Sequence, residues 1–367
     1  MTEKNRIVFL DYLRVAACFM VMAIHACEPY YLTMDGDTLV TKIISRCDAV
    51  CITVVECLCR VCVPLFVMTS SYLLFPVTKP AGEFFRRRLA RVAVPFVVWS
   101  VAYVWHFGGD WGRLAFNFPD AAGHLWFVPM LLGLYLLMPL ISPWAEKAGK
   151  KEVQGWLLLW LVTTTFPFVR KLWGTMYGDP SFGAVPYLWG ECPWNMFGTF
   201  HYVSGFFGYV LLGFYFRRFA PDMSWRRVLS TAIPLWCAGV AVFGGVFYWR
   251  IPECPFTKPY AFAVDLEMSL EYCSFGVALA VIGSFMMFMK CNAAGFLYSR
   301  IVKPLSEASY GTYLLHMFVL IPFFEFFKTR LPTPYAIAAT TVLSFIVSSS
   351  VSVLLRRIPF FGRWICG

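Results

Sequence analysis

The hydropathy pattern leaves this chain few ways to fold. Apolar runs follow one another along almost its whole length, separated by short segments that carry charge, proline or glycine. A run of about 20 apolar residues is long enough to cross a bilayer as a helix. The sequence has ten such candidates, at 7–26, 46–75, 92–107, 124–143, 154–173, 197–216, 228–249, 264–290, 306–327 and 335–356. Only 14% of residues are charged and 59% are hydrophobic, whereas a soluble domain carries roughly 25% charged residues. The expected fold is therefore all-α, a polytopic transmembrane bundle of about ten helices. One membrane domain is expected over residues 1–367, with no appended soluble domain.

The formal charge of +10 is spread in short clusters between the apolar runs rather than along a polar stripe. It reads as a topology signal and not as a nucleic-acid surface. With the N-terminus inside, twenty of the 31 lysines and arginines fall on the inner side and nine on the outer, with Arg14 and Arg60 inside spans. Both termini are then cytoplasmic. The first run carries Asp11, Arg14 and His25 and has no small-residue cleavage site, so it reads as a retained helix.

Cysteines such as Cys57 and Cys59 lie in apolar runs, lack the paired spacing of zinc ligands and read as small hydrophobes, and no metal is expected. Cys192 and Cys254 fall in predicted outer loops as a candidate disulfide. The outer segment 174–196 holds Trp189, Glu191 and Trp194, suited either to an interfacial belt or to stacking on sugar rings.

Charged side chains at membrane depth are expensive and must be paired, face a cavity or serve function. Arg14 and His25 are eleven residues apart. At 100° and 1.5 Å per residue they lie within about 20° of one helix face and about 16 Å apart. Asp11 is placed to pair with Arg14. Glu267 and Glu271 in the predicted eighth span are one turn apart, and either can orient an imidazole or pair with a buried cation such as Arg60. Glu56 and Arg60, four apart, read as a structural pair. His316 in the predicted ninth span is a second candidate histidine. The cluster RRRLAR at 86–91 reads as a loop at the inner surface, suited to lipid headgroups or to phosphates, which arginine forks match well.

Several segments together resemble acyltransferase family 3, a group of integral-membrane O-acyltransferases. They are LDYLRVAACFMVMAIH at 10–25, VPLFVMTSSYLL at 63–74, RRRLARVAVPF at 86–96, GHLWFVPMLLGLYLLMPL at 123–140, HYVSGFFGYVLLGFYFRR at 201–218 and SYGTYLLHMFVL at 309–320. The first holds the family's pattern of an arginine, ten residues and a histidine. Ser71 departs from the glycine that many members carry there, and no second catalytic site is expected of the kind that a hydrolase-like domain after the last helix supplies in some relatives.

The resemblance implies transfer of an acyl group, commonly acetyl, from cytoplasmic acyl-CoA to a hydroxyl of an extracytoplasmic glycan or lipid-linked acceptor, in a bacterial cytoplasmic membrane. The nucleotide is expected at Arg86, Arg87, Arg88 and Arg91, with the pantetheine arm passing Arg14 to reach His25. His25 is expected as general base or as carrier of the acyl group, with Arg14 stabilising negative charge and Glu267 or Glu271 orienting the ring. Asp11, Trp126 and His316 are the expected substrate contacts. The rival reading is an exporter, since intramembrane charge also marks translocation paths, although the two halves show no repeated hydropathy.

Overall fold

A computed structural model describes residues 6–31, 33–35, 38–40, 45–116, 120–177, 205–220, 222–251, 267–359 and 361–367. Cys192, Cys254, Trp189, Glu191 and Trp194 lie outside them. The described chain is helical. Its elements are α1 (Val8–Cys27), α2 (Arg46–Cys59), α3 (Cys62–Leu74), α4 (Ala81–Phe107), α5 (Trp111–Phe116), α6 (Phe127–Lys147), α7 (Lys150–Tyr177), α8 (Phe207–Phe219), α9 (Trp225–Arg250), α10 (Phe275–Phe288), α11 (Lys303–Phe327), α12 (Thr333–Leu355) and α13 (Gly362–Cys366). A two-stranded antiparallel hairpin, Thr33–Asp35 with Thr38–Val40, follows α1.

Each of the ten predicted runs contains a helix. Among the described residues, seven segments are long and apolar enough to cross a membrane, and α7, α8 and α10 occupy the three remaining predicted spans. Apolar side chains such as Trp105 (78% exposed), Leu140 (78%) and Leu158 (63%) point outward. Such surface is ordinary when the surrounding solvent is lipid and would be a liability in water.

Three boundaries depart from expectation, each for a local reason. The predicted span 46–75 is broken, α2 ending at Cys59 and α3 beginning at Cys62. Pro64 has no N–H for the Arg60 carbonyl four residues back, and its ring crowds that carbonyl. The arginine cluster is not a loop. It forms the early turns of α4, which starts at Ala81 rather than at 92. Within the described part of the predicted span 264–290, the α-helix starts at Phe275, where Ser274 caps it by accepting from the Val277 N–H at 3.4 Å.

The chain forms two compact units. The first comprises residues 1–22, 74–147 and 292–367, the second residues 23–73 and 148–291. In the first, α11 and α12 make a helical hairpin whose contact face on α12 is small and polar, with Thr341, Ser344, Ser348 and Ser352 buried. Lipid tails are as apolar as leucine, so close approach of small residues holds such helices together better than bulky apolar ones. The Ser352 hydroxyl donates to the Ala308 carbonyl at 2.8 Å, and a Cβ on Gly311 would stand 2.4 Å from the Ser352 Oγ. The Trp99 indole of α4 donates to the Ile365 carbonyl at 2.8 Å.

The second unit uses the same device between α9 and α10, where a Cβ on Gly239 would lie 2.4 Å from the Gly276 carbonyl oxygen and one on Gly283 2.4 Å from that of Ala232. Gly208 of α8 lies under Trp160 of α7, with 2.1 Å from its would-be Cβ to Cε2 of the buried indole. Gly208→Ala is therefore expected to destabilise the protein by about 1–3 kcal/mol, as overpacking does. Thermal melts in detergent check this against Gly245→Ala, where nothing stands within 4 Å of the new methyl and stability should hold or rise slightly.

Candidate active site

His25 sits in the last turn of α1. Pro29 cannot offer an N–H to the His25 carbonyl, so the α-helix stops at Cys27 and Glu28–Tyr30 continue as one 3-10 turn. The turn brings Glu28 back over the histidine, with 2.6 Å between His25 Nδ1 and Glu28 Oε2. An ionised carboxylate only accepts, so Nδ1 is the donor in this contact, and in the neutral ring Nε2 is then the basic nitrogen. A cation at this ring is also favoured by the C-terminal end of the helix dipole.

Beside this pair the second unit assembles a larger charged cluster. The Tyr31 hydroxyl lies 2.8 Å from Glu56 Oε1 and 3.2 Å from Glu267 Oε1. Arg60, at the break between α2 and α3, donates through Nε to the Leu270 carbonyl at 2.6 Å. Its Nη1 stands 3.4 Å from Glu56 and its Nη2 3.5 Å from Glu267, and the guanidinium lies 4.7 Å from the centre of the Tyr272 ring. His25 is within electrostatic reach of Glu28, Glu56 and Arg60. Two carboxylates, Glu56 and Glu267, thus face one guanidinium, with Glu28 within electrostatic reach of both, and an imidazolium at His25 would balance part of the surplus negative charge.

The carboxylate on the His25 ring is Glu28, not Glu267 or Glu271. Glu267 lies in the turn before α10 and takes the other role open to it, as partner of Arg60. Glu271 is exposed in the same connection. Glu56 and Arg60 pair as their four-residue spacing predicts.

The first unit holds the remaining candidates. Asp11 is buried and its oxygens meet protein partners: Arg6 Nε at 2.5 Å, the Tyr298 hydroxyl at 2.7 Å, the Ser306 hydroxyl at 2.6 Å and Arg14 Nη1 at 3.6 Å. It anchors the start of α1 rather than presenting a free carboxylate to a substrate. Burial works against the charge of Arg6, but the hydrogen bonds and charges of Asp11 and Glu307 outweigh it and push its pKa above the usual arginine value. Arg14, half-buried, has Arg88 and Tyr135 among its electrostatic neighbours. Of the arginine cluster, Arg88 is half-buried, while Arg86, Arg87 and Arg91 are exposed on the early turns of α4. Arg87 and Lys79 share Glu83 at 2.8 and 2.9 Å.

His316 is fully buried on α11, its Nδ1 2.5 Å from the Tyr313 carbonyl oxygen and its ring edge-on to His124 at 5.3 Å. Trp126 is 38% exposed where a 3-10 turn leads into α6. The structure thus gathers Asp11, Arg14 and Arg88 in one unit with His316 and Trp126, and His25 with Glu28, Glu56, Arg60 and Glu267 in the other.

Residues 7–353 match the acyltransferase domain family, from the residue before α1 to the last turn of α12. The chain belongs to acyltransferase family 3. No curated protein and no solved structure matches it. As a family 3 member with seven helices apolar enough to cross a bilayer among its described residues, it is a multi-pass membrane acyltransferase.

Two site residues of this acyltransferase were not anticipated from its sequence, Glu28 and Tyr31. The signal for Glu28 was present, a carboxylate three residues after the histidine and directly before Pro29. Tyr31 carries no comparable signal, because its partners Glu56 and Glu267 are distant in sequence.

Proposed function

We propose that this acyltransferase moves an acyl group, acetyl by preference, from acyl-CoA on the cytoplasmic face to a hydroxyl of a glycan or lipid-linked acceptor beyond the membrane. The observation that carries the reading is the His25–Glu28 pair at one end of a helix whose other end bears Arg14, itself within electrostatic reach of Arg88. Arg88, with Arg86, Arg87 and Arg91, supplies guanidinium forks for the phosphates of the donor. Arg14 offers positive charge further along the same helix. The His25 Nε2 removes the proton of the acceptor hydroxyl as its oxygen attacks the thioester carbonyl. The carbon–oxygen bond forms, the carbon–sulfur bond breaks, and CoA leaves as the thiolate, which takes up the proton.

Intramembrane charge, the one feature that also suits an exporter, is matched here by pairing, since Glu56 and Glu267 face Arg60. The test offers acetyl-CoA labelled in the acetyl group to membranes with and without the protein. Label should enter an envelope fraction and be released by mild alkali, as an ester is and an amide is not. Label that enters no envelope fraction, or resists alkali, contradicts the proposal.

A further inference from the structure

The histidine of the proposed reaction does not stand on an isolated helix end. Its Nδ1 contacts Glu28 Oε2 at 2.6 Å, and the carboxylate comes from the turn that Pro29 imposes rather than from a neighbouring helix. The Glu28 side chain is 28% exposed and that of His25 17%, so the pair is partly screened from solvent without being sealed from it. A surface pair of this type would be worth little. A partly buried one can hold a ring in a single orientation and a single tautomer.

From this geometry we propose that Glu28 is the positioning residue of the acyltransferase, holding the proton on His25 Nδ1, aiming Nε2 at the acceptor hydroxyl and stabilising the imidazolium formed as the hydroxyl proton is taken. This inference rests on the reading of His25 as the base. Glu28 touches neither donor nor acceptor and acts through the ring alone. The other charged groups facing His25 are Glu56 and Arg60 of α2 and the turn that follows it, with the Tyr31 hydroxyl between Glu56 and Glu267. Glu56 and Glu267 have Arg60 as partner and both contact the Tyr31 hydroxyl. Glu28 is hydrogen-bonded directly to the ring.

Glu28→Gln keeps the shape of the side chain but presents an amide that can donate to Nδ1, which favours the unproductive tautomer. Removing the anion also destabilises the imidazolium. Acetyl-CoA turnover by the full-length protein in detergent is expected to fall by up to about 10⁴-fold, the loss seen when the carboxylate that fixes a catalytic histidine's tautomer becomes an amide, with KM for acetyl-CoA unchanged. The rising limb of the pH–rate profile should shift to lower pH, because His25 loses its proton more readily without the carboxylate. Glu28→Asp should recover part of the rate and return the limb towards its original position. A purely structural role would lower the yield of folded protein or its melting temperature, but it would not move the limb.

His25→Ala run in parallel separates the two levels of the argument. If His25→Ala is inactive while Glu28→Gln keeps the wild-type rate and profile, the role of Glu28 is overturned and the reading of His25 stands. If His25→Ala retains full turnover, both are overturned.

Discussion

Replacing His25 by alanine is expected to lower acyl transfer by about 10²- to 10⁴-fold, the contribution typical of a positioned general base, with folded yield and acyl-CoA binding unchanged. The binding should survive because the donor phosphates are assigned to Arg88 and its neighbours at the start of α4, whereas His25 lies eleven residues beyond Arg14 on α1. Folding should survive because the hydrogen bond between the ring and Glu28 is local, three residues on in the same turn. Single-turnover rates in purified protein check the first part and size-exclusion profiles the second. A variant that bound donor as tightly as wild type and turned it over as fast would remove His25 from the chemistry.

A larger effect on stability is expected at Arg60. Its guanidinium faces Glu56, which is fully buried, and Glu267, and its Nε supports the Leu270 carbonyl. Arg60→Ala would leave two carboxylates without their cation in a low-dielectric setting, and breaking a buried pair in this way costs about 3–5 kcal/mol. The melting temperature in detergent should fall sharply, or the protein should fail to accumulate. The triple variant Arg60→Met with Glu56→Gln and Glu267→Gln should recover much of the loss, because it removes the stranded charges along with their partner. Failure of the triple variant to improve on Arg60→Ala would mean that the Leu270 hydrogen bond or the Tyr272 contact, not charge balance, is what Arg60 supplies.

The fold was legible in the sequence wherever a long apolar run alone decides the outcome. All ten predicted spans contain helix, since a segment at that depth must satisfy its own backbone hydrogen bonds. Interruptions inside a run were harder to see. The stretch 46–75 reads as one span by hydropathy, yet Pro64 acts on the carbonyl of Arg60 and breaks it there. That break places the arginine among Glu56, Glu267 and Tyr272. In the eighth run, Val264, Leu266 and Met268 read as the start of the span, while the decisive residue is Ser274, whose side chain caps an α-helix that begins at Phe275, eleven residues after the expected start.

The site was legible by halves. The eleven-residue spacing of Arg14 and His25 survives as one continuous helix. Membrane depth points to Glu267 and Glu271, distant in sequence, as carboxylates for His25, whereas the turn that Pro29 imposes folds Glu28 back over the last residues of its own helix. Asp11 was expected at the substrate from its place near Arg14. Besides nearby Arg6, its partners include Tyr298 and Ser306, 287 and 295 residues away, which no local pattern reveals.

The most direct measurement is acetyl-CoA binding and turnover by purified protein, wild type beside Arg88→Ala with Arg91→Ala and beside His25→Ala. Saturable binding by wild type, weakened at least tenfold in the arginine variant, together with turnover lost in the histidine variant that still binds, is the predicted result. Absence of donor binding by well-folded wild type, under conditions where another acyltransferase binds it, would contradict transfer from acyl-CoA altogether.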